Sequence, residues 1–211
     1  SGKLNIALDG LPTFNGLDKN SPLMLGDMHF TDSLQRLERA YDDWKDGTWS
    51  KDPYVDMLIP TQTDPTMAPP GKHMMTVFVQ YAPPKIKGGE WTDEDKAGFE
   101  KSVIDQIATY SPDFKDLILH CETRTPREIE AEVGLTDGNI FQGELTFDQL
   151  LFNRPFPGYA QYRGPVPGMY MCSSGTHPGG GVMAAPGANA AREILRDLRK
   201  PNTVPGGYAD D

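Results

Sequence analysis

Short apolar segments separated by turn residues predict the strands of a β-sheet. Residues 4–8 alternate apolar and polar side chains until Asp9 and Gly10 interrupt the pattern. Further strands are predicted over residues 54–59, 74–81, 117–123 and 169–172. The segment 74–81 is rich in residues that favour extended backbone, so we expect it at the centre of the sheet.

Apolar residues spaced three and four apart predict two long helices. The first covers residues 32–45, with Thr31 or Asp32 as its N-cap. The second follows Thr92, which forms an approximate capping box with Asp95, and it ends where a proline follows Ser111. The apolar faces are Leu34, Leu37, Ala40, Tyr41 and Trp44 in the first helix and Phe99, Val103, Ile104 and Ile107 in the second.

Two shorter helices are predicted to begin at prolines, which suit a first helical turn because its N–H groups have no partner inside the helix. One begins at Pro126 and ends near Val133, and the other covers residues 186–198. In the last helix we expect Ile194, Leu195 and Leu198 to face inward.

These elements predict an α+β fold with a mixed sheet and flanking helices. We expect residues 3–160 to form one region, residues 161–200 a C-terminal strand-helix unit, and residues 201–211 a disordered tail. The chain has 211 residues, of which 37% are hydrophobic and 24% charged, and these proportions are typical of a globular protein. Its net charge of −10 argues against nucleic acid as a partner, since phosphates attract a basic surface.

Cysteine and histidine usage gives little sign of a metal or disulfide site. The two cysteines, Cys121 and Cys172, are far apart and form no metal-binding or redox spacing. The histidines lie on separate predicted elements, so we expect no metal site. A reducing cytoplasmic location fits two unpaired thiols, and no apolar run is long enough for a membrane helix.

The richest segment for function is 168–191, where an apolar stretch leads into three consecutive glycines and then into the helix at Pro186. Glycine lets a backbone approach a ligand closely, and a helix start offers unpaired N–H groups with a partial positive charge. The segment therefore predicts an anion or cofactor cradle. The alternative is a glycine- and proline-rich surface loop, because the G-x-G-x-x-G dinucleotide motif is absent from the sequence.

This segment resembles the C-terminal FAD-contacting motif of the phytoene desaturase-like flavoprotein oxidoreductases, in particular the pyridine nucleotide-disulphide oxidoreductase domain-containing protein 2 subgroup. Ser173 and Ala188 stand where that family usually has Gly and Arg. The similarity extends upstream and covers nearly the whole chain. The matching positions are Tyr170, Cys172, Ser174, Gly175, 177–182, Pro186, Gly187 and 189–191, together with 4–8, 64–73, 78–83, 138–141 and 148–150.

The resemblance implies specific roles for residues of the glycine segment. FAD would be held by Ser173, Ser174, Gly175, Gly179, Gly180, Gly181, Gly187, Ala188 and Asn189. His177 would lie near the flavin ring and is the candidate catalytic residue, although a loop histidine is more often structural. Asn189 could bond either a cofactor oxygen or its own backbone.

The resemblance also implies partners. Family members are more than twice as long and carry a FAD-binding G-x-G-x-x-G motif near the N-terminus, so this chain corresponds to their C-terminal part. It would then contain the substrate-binding region, act on a hydrophobic small molecule, and lack the N-terminal FAD-binding half. Alone it would be inactive and would self-associate through apolar surface that the absent half covers.

Two interpretations other than a flavoenzyme remain, and some residues stay undecided. The chain could be a non-catalytic interaction module, or a hydrolase or transferase, although no nucleophile with an activating base is evident. Arg154 could contact an anion or tie a loop to the backbone. The aromatic residues could pack in a core or line a substrate cavity, and they are Phe141, Phe147, Phe152, Phe156 and Tyr159.

Overall fold

The chain divides into two compact units, Ser1–Gly138 and Asn139–Asp211. The computed structural model describes residues 1–199. The predicted division at residue 160 concerns function and stays a prediction, and the predicted disordered tail lies outside the described residues. Within residues 1–199, no helix has the length and apolar character that crossing a bilayer requires.

The first unit is built on a five-stranded sheet with the order β2-β3-β4-β1-β5. The strands are β1 Gly2–Leu8, β2 Met28–Phe30, β3 Tyr54–Leu58, β4 His73–Gln80 and β5 Ile118–Arg124. The prediction that β4 is central is confirmed. Every pairing is antiparallel, so the predicted α+β class is confirmed but the sheet is not mixed. Strand β2 was not predicted, because its three residues are too few to show an alternation of apolar and polar side chains.

The helices of this unit begin where side chains cap them. Their bounds are α1 Leu34–Lys45, α2 Asp93–Tyr110, a short α3 Phe114–Leu117 and α4 Pro126–Val133. The predicted capping box of Thr92 with Asp95 is confirmed, and α4 starts with a second one. The N-cap predicted for α1 is wrong by one or two residues, because it is the Ser33 hydroxyl that accepts the Arg36 N–H.

The core of the first unit lies on one face of the sheet, beneath α2. Alternate residues of β1 and the inner face of α2 are fully buried in a single cluster, as the periodicity predicts. The buried side chains of these two elements are Leu4, Ile6, Leu8, Phe99, Val103 and Ile107. The remaining strand residues alternate to the opposite face, where they are partly exposed.

The second unit has a different construction, because polar networks replace an apolar core. Among its described residues, the buried apolar side chains are Tyr162, Pro186 and Ala190. Residues 169–172 form no strand. A single bridge pairs Arg163 with Tyr170, and the Gly164 N–H donates to the Met169 carbonyl at 2.8 Å.

Helix α5, Ala185–Leu198, presents an unexpected face to its own unit. Glu193 and Asp197 are buried, whereas Leu195 is 54% and Leu198 is 74% exposed. The prediction that these leucines face inward is therefore wrong. The reason is Arg163, whose guanidinium pairs with Asp197 through two 2.8 Å hydrogen bonds and with Glu193 through one of 2.7 Å.

Candidate functional site

The glycine segment forms one wall of an open cleft in the second unit. The cleft has a volume of about 580 Å³. Ile140 and Phe141 also line it, together with the start of α5. The lining residues are Ile140, Phe141, 172–174, 179–184, Pro186 and Gly187.

Backbone shape, rather than side-chain chemistry, defines the glycine wall. Gly179 and Gly181 have φ values of 103° and 120°, which favour glycine strongly. A Cβ added at Gly180 would lie 3.3 Å from the Ser174 Cβ and 3.6 Å from the Phe141 ring. The absence of a side chain at Gly180 therefore keeps the cleft open between these two neighbours.

Unpaired backbone donors accompany this shape. Within the described residues, the N–H groups of Gly180, Gly181, Ala185 and Gly187 donate to no protein acceptor. The first intrahelical bond of α5 is made by the Ala188 N–H to the Ala184 carbonyl. These donors lie in or beside the cleft, where they suit a ligand that carries acceptor atoms or negative charge.

The start of α5 also differs from the other long helix starts. Ser33, Thr92 and Thr125 cap α1, α2 and α4 with their side chains. Ala184 stands at the N-cap of α5 with no side-chain cap, and no acidic residue lies in the first turn. The positive end of the helix dipole is therefore not neutralised locally.

Arg154 ties together segments that contribute to the cleft lining. It is only 2% exposed, and its guanidinium donates to the carbonyls of Phe141, Glu144, Gln149 and Ser174. Phe141 and Ser174 both line the cleft. Of the two roles left open by the sequence, Arg154 thus ties loops to one another through their backbones.

The structure gathers most, but not all, of the predicted cofactor residues at the cleft. Ser173, Ser174, Gly179–Gly181 and Gly187 line it, whereas Gly175, Ala188 and Asn189 do not. The Asn189 amide donates to the Tyr162 hydroxyl at 2.7 Å and its oxygen accepts from Arg192 at 2.7 Å. The Asn189 side chain is thereby used in packing α5 onto the loop of Tyr162.

The candidate catalytic residue His177 lies beside the cleft lining rather than in it. It is half-buried, and its carbonyl accepts the Tyr162 hydroxyl at 2.8 Å. Tyr162 therefore connects the His177 backbone to Asn189 on α5. No observation tests a catalytic role for the imidazole, which stays a prediction.

The aromatic residues of 141–159 do not form a core. Phe147 is 94% and Phe152 is 74% exposed, and the rings of Phe156 and Tyr159 are in contact at a tilt of 40°, with centroids 4.4 Å apart. Phe141 alone of this group lines the cleft. Of the two interpretations, core packing is wrong for the exposed members, because the surrounding chain is irregular and packs through backbone hydrogen bonds.

Sequence reasoning missed a second group of polar side chains, in the first unit. Asp27, His29 and Asp56 each bring one potential ligand atom within 4.8 Å of the others. Partial burial, a hydrogen bond that protonated Asp56 donates to Asp27, and the negative charge of Asp27 raise the pKa of Asp56 to about 6, and His29 opposes the shift. Only the register of β2 with β3 places these residues together, so local spacing could not show the group.

Comparison with known proteins shows which proteins the chain is similar to. No family model matches it. It is 41% identical over 205 residues, 93% of its length, to pyridine nucleotide-disulfide oxidoreductase domain-containing protein 2 of Mus musculus. It is 30% identical over 65% of its length to one subunit of the limonene dehydrogenase of Castellaniella defragrans, and 25% identical over 87% to a 4,4'-diapophytoene desaturase of Staphylococcus aureus.

These relatives are oxidoreductases by name, and the resemblance drawn from the sequence is confirmed. The chain is related over nearly its whole length to the pyridine nucleotide-disulfide oxidoreductase domain-containing protein 2 group. It spans 35% of the length of the mouse protein, 26% of the limonene dehydrogenase polypeptide and 36% of the desaturase.

Proposed function

We propose that the chain is the C-terminal part of an FAD-dependent oxidoreductase and that its glycine cleft contacts the flavin. The observation that carries this proposal is the row of unpaired N–H groups at Gly180, Gly181, Ala185 and Gly187 along a cleft kept open by glycines. The relationship to named dehydrogenases and desaturases supports the same class of chemistry.

The residues of this chain would bind and orient the cofactor. The uncapped start of α5 would stabilise negative charge on a ligand, because the positive end of the helix dipole and the unpaired N–H groups lie at the same end of the helix. When bound, FAD supplies hydride acceptance, which amino-acid side chains cannot provide. Arg154 fixes Phe141 and Ser174, and the width of the cleft depends on those two residues.

We propose that the substrate is an apolar small molecule. The cleft is lined mainly by apolar groups, with Ile140, Phe141, Val182 and Met183 offering the largest ones. Relatives named for limonene and for diapophytoene, both hydrocarbons, agree with such a substrate. His177 remains the candidate for acid–base work beside this cleft.

The chain would need the remainder of its protein as a partner. Several large apolar side chains of the second unit are exposed, among them Val182, Leu198 and Phe147, and we propose that the FAD-binding half covers part of this surface. Without it, the chain would self-associate. Cys121 and Cys172 are free thiols, which suits the cytoplasmic location expected from the sequence.

We predict that this chain alone binds FAD weakly or not at all. The pyrophosphate of FAD is usually held by a G-x-G-x-x-G turn at a helix start, and this sequence contains no such motif. A fluorescence titration with FAD should show no saturation in the micromolar range. A chain extended to the length of the mouse relative should be purified with bound flavin.

Tight stoichiometric binding of FAD to the chain alone would contradict the proposal that this chain supplies only a part of the FAD site. Absence of flavin from the extended protein would contradict the flavoenzyme proposal itself. In that case the exposed apolar side chains would favour the alternative, a protein-interaction module without catalysis.

A further inference from the structure

The group formed by Asp27, His29 and Asp56 has a geometry fixed by the sheet. His29 in β2 and Asp56 in β3 are direct partners in the antiparallel register. The next pair, Phe30 with Val55, is buried in the core and holds the two strands in place. Asp27 precedes β2 by one residue and contributes the third ligand atom, with all three within 4.8 Å of one another.

The charge of this group is not compensated by protein cations. Within the described residues, no Lys or Arg forms an ion pair with Asp27 or Asp56. Other carboxylates of the first unit do have such partners, since Asp52 pairs with Arg36 and Asp105 with both Lys101 and Lys115. Two carboxylates that share a site without a cation repel each other, and a bound cation would remove that repulsion.

A neighbouring tyrosine holds the imidazole in position. The Tyr54 hydroxyl is hydrogen-bonded to His29 Nδ1, and the two rings stack with centroids 5.7 Å apart. The same Nδ1 lies 3.8 Å from Asp56 Oδ2, so a metal ion at this group would bind His29 either through Nε2 or in place of the Tyr54 hydroxyl. Tyr54 lies in β3 two residues before Asp56, so strand alternation places both on the same face of the sheet.

We propose that Asp27, His29 and Asp56 form a binding site for a divalent transition metal, with Zn²⁺ as the best fit. One imidazole nitrogen and two carboxylate oxygens are common zinc ligands at about 2.0–2.2 Å, so the ligand atoms of one tetrahedral ion lie about 3.3–3.6 Å from each other. The ligand atoms here lie within 4.8 Å of one another, and rotation of the exposed Asp27 and His29 side chains would bring them closer. Water completes the coordination. The site uses no residue of the glycine cleft and is independent of the proposed flavin chemistry.

Metal binding would hold the edge strand β2 against β3. β2 contributes only three residues to the sheet and lies at its edge. An ion held by Asp27, His29 and Asp56 would connect this strand and the residue before it to β3. Binding to the folded state alone would stabilise the first unit by mass action.

The test is a Zn²⁺ titration of the untagged protein after treatment with a chelator, with calorimetry and inductively coupled plasma analysis as readouts. We expect one Zn²⁺ per chain and a higher Tm in its presence. Asp27→Asn and His29→Gln should each weaken Zn²⁺ binding at least about tenfold. His120→Gln, which alters an exposed histidine of β5, is the matched control and should leave binding unchanged.

Circular dichroism of the metal-free variants shows whether each one is folded. Asp27 is exposed and lies outside the strands, so Asp27→Asn keeps the test decisive even if His29→Gln unfolds β2. Equal Zn²⁺ binding by the parent, Asp27→Asn and His29→Gln would overturn the proposal. The proposal would also be overturned if the parent protein showed no saturable Zn²⁺ binding below about 1 mM. A loss of Zn²⁺ binding in His120→Gln, with binding retained in Asp27→Asn and His29→Gln, would overturn it as well.

Discussion

Replacing Arg154 by alanine is expected to unfold the second unit while the sheet of the first unit stays folded. Arg154 is buried and donates to four backbone carbonyls of three loop segments. Removing it leaves four partly buried acceptors without this donor, and water can replace the guanidinium at some of them. A buried acceptor without a partner costs about 1–3 kcal/mol, so we expect a total of about 3–5 kcal/mol. The unit has few buried apolar side chains to offset this loss.

Hydrogen exchange measured by mass spectrometry resolves this effect by segment. Protection should collapse in residues 139–199 of Arg154→Ala and remain in β1 and β4. Arg127→Ala is the control, because Arg127 is exposed and forms a surface ion pair with Glu90. Unchanged protection of residues 139–199 in Arg154→Ala would show that the guanidinium does not hold these loops together.

Replacing Gly180 by valine is expected to weaken flavin binding by about ten- to a hundredfold in the full-length protein that we propose. The new Cβ would lie 3.3 Å from the Ser174 Cβ, and the branched methyl groups would meet Phe141 or enter the cleft. Overpacking of this kind costs about 1–3 kcal/mol, which corresponds to that loss in affinity.

The measurement is the flavin-to-protein ratio after purification, compared with the circular dichroism of the same sample. Gly180→Ala provides a graded control, since its smaller side chain should cause a smaller loss. An ordinary surface loop would tolerate valine at this position. If the flavin-to-protein ratio of Gly180→Val equals that of the parent protein, Gly180 is not part of the cofactor site.

Local sequence signals predicted the regular elements of the first unit well. Alternation in β1 and the capping box of Thr92 depend on neighbours within a few residues, and the structure keeps both. The inner face of α2 was also predicted, because an apolar stripe has one favourable orientation against a sheet. Short edge strands such as β2 have too few residues for a pattern.

The second unit was harder to predict because distant polar residues decide its packing. Leucines on α5 would face inward if apolar burial alone acted, but Arg163, which is 30 residues from Glu193 in sequence, draws the acidic face inward instead. The glycine segment was predicted as a cofactor cradle from its consecutive glycines and the helix start at Pro186. The place of Phe141 in the lining and its attachment to Arg154 were not predicted, since no local spacing links these residues to the glycines.

The most direct test of the central proposal is the flavin content of the full-length protein with Gly187→Ala. Gly187 lines the cleft, and a Cβ added there meets no protein atom within 4 Å. Alanine is about 1 kcal/mol better than glycine in a helix, so the variant should be at least as stable as the parent. Gly26→Ala, in the first unit, is the control, because its added Cβ has 3.6 Å to its nearest neighbour. We predict at least about a tenfold loss of flavin affinity for Gly187→Ala and none for Gly26→Ala. Full flavin retention by a folded Gly187→Ala protein would contradict a cofactor site at the start of α5.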